Sequence, residues 1–111
     1  MISIIRGTDT SIKVNFTENG TPVNITGYEV LFTVKEQDYI GKGDDKALIT
    51  KDITVHSDPT QGETTIVLSN EDTDIPAGNY YWDLRLIKDG IITQTQRDML
   101  EITQGITERT S

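Results

Sequence analysis

The single histidine of this chain, His56, stands in the stretch TVHSDP beside Ser57 and Asp58, the three residue types of a hydrolytic triad. Triad chemistry places the imidazole between a nucleophile and an orienting carboxylate, and three chain neighbours at a strand end cannot supply that arrangement. No GxSxG turn is present to lift a serine above a sheet. His56 therefore reads as a surface residue. The stretch GKGDDK holds Gly41, Lys42 and Gly43 but lacks the spacing and the closing Lys-Ser/Thr of a phosphate loop, so it reads as a charged loop. Two acidic clusters, Asp44-Asp45 and Glu71-Asp72 with Asp74, offer carboxylates to calcium, which takes about six to eight oxygens. Neither follows the alternating order of a calcium loop, and both read as turn formers or a helix cap. With no cysteine, thiolate nucleophiles, disulfides and zinc-thiolate sites are absent as well. The expectation is no catalytic residue, no metal site, no cofactor and no enzyme activity.

Binding chemistry is concentrated in AGNYYWDLRLIKDGIIT, where Tyr80, Tyr81 and Trp82 stand in consecutive positions. Side chains on a strand alternate faces, so three adjacent aromatics cannot make one platform. Tyr80 and Trp82 share a face with Leu84 and Leu86, which is apolar throughout and reads as core. Tyr81 shares the other face with Asp83, Arg85 and Ile87, and is the one stacking candidate of the three. The spacing AGNY also suits a tyrosine corner, in which Tyr80 returns its hydroxyl to nearby backbone.

These residues must be positioned by strands. SIKVNF places Ile12, Val14 and Phe16 on one face, YEVLFTVK places Tyr28, Val30, Phe32 and Val34 together, and ETTIVLS aligns Thr64, Ile66 and Leu68. ALITKDITV puts Ile53 and Val55 in phase, and a last strand, MLEIT, does the same for Leu100 and Ile102. Asn19-Gly20 and Asp89-Gly90 signal tight hairpin turns. Residues 36 to 46, polar and without period, read as an exposed loop. Ser69 and Asp72 match a capping box and predict one helical turn before Pro76. The pattern predicts an all-β, immunoglobulin-like antiparallel β-sandwich of about seven or eight strands, spanning residues 1–104, with a flexible polar tail over 105–111.

The 111 residues suit one domain of ordinary size. Ten Lys and Arg against eighteen Asp and Glu give a net charge of -8, which opposes nucleic acid and anionic membranes as partners. MISIIRGTDT lacks the order of a secretory signal, and no apolar run is long enough for a membrane span.

If Asp89-Gly90 closes a two-residue turn, Ile87 faces Ile92, and counting back pairs Arg85 with Gln94 and Tyr81 with Asp98 on an outward face. Trp82 would then meet Arg97 on the inner face. Tyr81, Arg85, Ile87, Ile92 and Gln94 combine aromatic, apolar and guanidinium groups, the composition of a protein interface, and form the expected partner-contact surface.

The ordered segments IIRGTDTSIKV, ENGTPVNITGYEVLFTVK, QGETTIVLSNEDT and IPAGNYYWDLRLIKDG with a closing strand resemble the N-terminal domain of tailed-phage baseplate upper proteins and related tail-tip modules over residues 2 to 104. That resemblance implies a β-sandwich docking parts of a tail or baseplate, in several copies, with no catalytic residues. It implies a virion protein made in the host cytoplasm, with other tail proteins and further copies of itself as partners. Members commonly continue into helical segments, whereas this sequence stops at Ser111; a self-contained small tail protein and a piece of a longer one are both open. Alternatives are a carbohydrate-binding module stacking sugars on Tyr81 and Tyr39, and a bacterial adhesion domain, which would need an export signal.

Overall fold

Two turn dipeptides set the hairpins. Asn19 and Gly20 lie at φ 52° and 79°, and Asp89 and Gly90 at φ 52° and 78°. This is the pair of left-handed conformations that a two-residue turn matching strand twist requires, and Asn, Asp and Gly adopt it at least cost. In the computed structural model, which describes residues 2–105, the first turn joins the short strands β3 (Thr17–Glu18) and β4 (Thr21–Pro22). The second joins β8 (Gly78–Lys88) to β9 (Ile91–Thr103). The remaining strands are β1 (Ile2–Ile5), β2 (Thr10–Asn15), β5 (Glu29–Lys35), β6 (Ile49–Ile53) and β7 (Glu63–Leu68).

They form a five-stranded sheet in the order β1-β9-β8-β5-β6, opposed by the pair β2-β7, with the β3-β4 hairpin separate. In immunoglobulin lettering β9, β8 and β5 take the places of G, F and C, with β6 extending that sheet beyond C as in variable-type domains. The fold is an all-β sandwich, as the alternation implies. One pairing departs from the antiparallel expectation: β1 runs parallel to β9, Ile2 beside Leu100 and Ile4 beside Ile102. After β1 the chain turns over residues 6–9 and enters the opposite sheet as β2, so one N-terminal run serves both layers.

Between the sheets lie Phe16, Ile66 and Leu68 on one side and Val30, Phe32, Val34, Leu84, Leu86, Leu100 and Ile102 on the other, all at most 1% exposed. At roughly 1.5 to 3 kcal/mol for each large apolar side chain taken from water, this layer is the main source of stability. The Tyr80 hydroxyl donates to the carbonyl of Pro76, which makes the predicted corner. Burial, with the nearby Glu36 carboxylate, pushes the phenol pKa up. The capping box also forms: Ser69 N–H donates to Asp72 Oδ2 at 2.8 Å, and Asp72 N–H to Ser69 Oγ at 3.2 Å, around a single turn.

Four expectations are corrected. MLEIT is not a separate strand but the end of the 13-residue β9. Val55, placed in phase with Ile53, lies beyond the end of β6 and is 85% exposed. His56 is half-buried rather than on the surface: Nε2 donates to the carbonyl of Tyr28 at 2.7 Å, leaving Nδ1 to accept from the Thr64 hydroxyl at 2.9 Å. Because Tyr28 leads into β5 and Thr64 sits in β7, the imidazole ties the two sheets together.

The fourth correction concerns hairpin register. Lys88 pairs with Ile91 and Ile87 with Ile92 as counted, but Leu86 then pairs with Gln94, so Thr93 is an extra residue, a β-bulge. The Thr93 hydroxyl donates to the Leu86 carbonyl at 3.1 Å and secures it. Beyond the bulge Arg85 faces Thr95, Asp83 faces Arg97, Trp82 faces Asp98 and Tyr81 faces Met99. The physical reason is that Ile92 must lie outward with Ile87, while Leu100 and Ile102 must lie inward; one unbroken strand does both only by absorbing one residue. The expected tail from Gly105 lies, beyond Gly105 itself, outside the described residues.

Candidate functional site

With the inner face of the five-stranded sheet sealed, chemistry is left to its outer face, built by Leu31, Thr33 and Lys35 of β5, Tyr81, Asp83 and Arg85 of β8, and Arg97 of β9. A segment that has no period of its own closes one side. Gln37–Tyr39 makes a 3₁₀ turn after β5, and Leu48 N–H returns to the carbonyl of Val34 at 2.8 Å. Lys35 pins the loop between them: its ammonium donates to the Gly43 carbonyl at 2.7 Å and meets Asp44 Oδ1 at 2.8 Å. Loop and strands enclose an open groove of about 580 Å³, with Leu31, Ile40, Tyr81, Asp83, Arg85 and Arg97 in its lining.

The polar groups of the groove are partly matched. Lys35 is held by Asp44, and Asp83 lies 4.0 Å from the Arg85 Nε and directly opposite Arg97 in register. Arg97 forms no ion pair among the described residues. Trp82 reaches the rim from the other direction; half-buried, it donates its indole N–H to the Met99 carbonyl at 3.2 Å and sits 6.0 Å from the Phe32 ring.

Of the expected contact residues, Tyr81 and Arg85 line the groove. Ile87 continues the same face, half-buried, toward the exposed Ile92 at the hairpin end. Gln94 does not join them. The bulge turns it to the inner side, where its amide reaches the Thr17 carbonyl at 3.4 Å. Tyr39, the second stacking candidate, is half-buried in the 3₁₀ turn and is not part of the groove lining. Arg97, Leu31 and Ile40 are groove residues that sequence reasoning misses. Counting backward from Leu100 along one continuous strand places Arg97 outward, whereas nothing in the aperiodic loop announces that Ile40 joins Tyr81 in the groove lining.

The other candidates resolve into structural partnerships. Ser57 accepts from the Thr65 hydroxyl and Asp58 bridges Glu63 through backbone, so neither engages His56. The acidic clusters are divided among three cations: Asp44 with Lys35, Asp72 with Lys51 and Asp74 with Arg6. Partial burial works against the Asp72 carboxylate, but Lys51 and the Ser69 N–H outweigh it and hold the pKa below its ordinary value. No group of three or more metal-ligating side chains is gathered among the described residues.

The fold is a variable-type β-sandwich whose outer face carries an open groove, and such a fold hosts many functions. The chain belongs to the BppU N-terminal domain family, whose model matches residues 6–97. Its fold is similar to the N-terminal domain of phage TP901-1 ORF48, with a TM-score of 0.64 at 16% identity over 92% of this chain and 83% of that one. The NK cell receptor Nkp44 shares the fold more loosely, with a TM-score of 0.51 at 16% identity over 92% of this chain and 95% of the receptor chain. No curated protein is significantly similar in sequence.

Proposed function

We propose that the chain is a non-enzymatic structural module of a phage tail or baseplate, which docks to other particle proteins through the outer face of its five-stranded sheet. Family membership supports the particle role. The observation that carries the docking surface is the run of Tyr81, Arg85, Ile87 and Ile92 along one face, with an aromatic ring and a guanidinium beside the half-buried Ile87 and the exposed Ile92. This reading makes the chain a virion component, synthesised in the host cytoplasm and present in several copies. A sugar platform would pair Tyr81 with Tyr39, and only Tyr81 lines the groove.

The test is incorporation. The gene is replaced, in the phage or prophage that carries it, by Ile87→Lys/Ile92→Lys, and purified particles are examined by mass spectrometry. The double variant should melt within a few degrees of the parent yet be lost from particles. Normal incorporation of a folded double variant sinks the assignment of this face, and absence of the parent chain from particles sinks the particle role.

A further inference from the structure

Building on that docking reading, we infer that the groove beneath the 36–48 loop receives an acidic segment of a partner protein, with a carboxylate held by Arg85 and Arg97 and a neighbouring apolar side chain against Leu31 and Tyr81. The chain carries -8 overall, but the groove is lined by three cations, Lys35, Arg85 and Arg97, against two carboxylates, Asp44 and Asp83. Asp44 is committed to Lys35 at 2.8 Å. Asp83 is left between two guanidiniums, 4.0 Å from Arg85 and across the ladder from Arg97, and can neutralise only one of them. Among the described residues, one positive charge therefore stays uncompensated inside a concave surface.

A guanidinium offers a planar fork of donors that matches a carboxylate, and two of them flanking one acid leave donors free for a second. The local field favours an anion here, while the rest of the molecule repels one. That combination selects a short acidic stretch over a long polyanion, whose charge would extend across the negative surface. Leu31, Ile40 and Tyr81 supply an apolar wall, and a peptide can present a carboxylate and an aliphatic side chain within one or two residues of each other. A groove of about 580 Å³ also lies within the range of about 300 to 1,000 Å³ typical of ligand sites. The 36–48 loop, tied down through Lys35, fixes the wall before the partner arrives.

The experiment uses the whole chain immobilised as bait for a library of random short peptides, with Arg85→Gln/Arg97→Gln as the parallel bait. The parent should enrich sequences with Asp or Glu beside Leu, Ile or Phe. The best synthetic peptide, followed by fluorescence anisotropy, should bind roughly tenfold more weakly to Arg97→Gln. Its binding should fall with added salt and be unchanged by Lys13→Gln on the opposite sheet. An empty selection, a selection without acidic bias, or equal binding to the double-Gln bait overturns the inference. An oligogalacturonate that binds the groove more tightly than the selected peptide overturns it too, in favour of an acidic sugar. Matching melting curves of parent and variants show that the fold is intact. Because the isolated chain is titrated, failure here leaves the particle-incorporation result standing, and loss of incorporation leaves the peptide result standing.

Discussion

Along β8 the inner residues Tyr80, Leu84 and Leu86 are at most 5% exposed, while Tyr81, Asp83 and Ile87, each one position away, are half-buried and Arg85 is open to solvent. Both sets share one backbone, one pair of neighbouring strands and one register. What differs is the covering layer. The inner set shares a buried cluster with Val14 of β2, Ile66 and Leu68 of β7, and Phe16, whereas the outer set is flanked, among the described residues, by the 36–48 loop along part of its length. The inner face is closed and fixes the fold; the outer face is half-closed and keeps polar and aromatic groups available. Burial on a sheet is thus set by what lies opposite each face, and a closed and a half-open face can alternate along a single strand.

Substitutions on the inner face should cost far more than substitutions on the outer one. Leu84→Ala should destabilise by about 2 to 5 kcal/mol, the range for a buried Leu left as a cavity, a large share of a total stability of roughly 5 to 15 kcal/mol. Chemical denaturation measures it, and a loss below about 1 kcal/mol would mean that the inner face is not the core. Trp82→Ala should come next at about 2 kcal/mol. That is less than the roughly 3 to 5 kcal/mol of a fully enclosed Trp, because the indole is only half covered.

Between these extremes lies Asp72, whose carboxylate caps the turn after β7 and meets Lys51 at 2.8 Å. Asp72→Asn should cost about 1 kcal/mol at neutral pH. The folded-state pKa is depressed below the ordinary 3.8. Its contribution is therefore present above that value and disappears as the pH falls through the lower folded-state pKa. Urea titrations of parent and variant should differ at pH 7 and converge in strong acid; a gap that widens on acidification contradicts the pairing. The smallest effect is expected on the outer face, where Arg97→Gln should change stability by no more than about 0.5 kcal/mol. A melting point lowered by many degrees would mean that this face, too, is structural.

Much of the inner face is legible in the amino-acid sequence. Tyr28, Val30, Phe32 and Val34 declare themselves by alternation, as do Thr64, Ile66 and Leu68, and the two Asn/Asp-Gly pairs fix where hairpins turn. The corner at Tyr80 follows from its place at a strand entrance. The outer face is legible only in part. Tyr81 and Arg85 stand out because alternation within β8 is local, but a count that crosses the bulge puts Gln94 on the wrong side. His56 reads as a surface residue because neither Tyr28 nor Thr64 is its sequence neighbour, and the bonds that bury it exist only once two sheets are stacked.

The amino-acid sequence suffices to say which residues face inward on β2, β5, β7 and β8, where tight turns fall, and that the chain is acidic and without cysteine. These follow from side-chain period, backbone preference and composition, all of which act within a few residues. Only the folded chain shows that β1 lies parallel to β9, that Thr93 bulges to reconcile the hairpin with the core, and that the 36–48 loop lines a groove together with Tyr81 and Arg97. Each of those depends on surfaces brought together from distant parts of the chain, where competition for burial and for hydrogen-bond partners overrides any local preference.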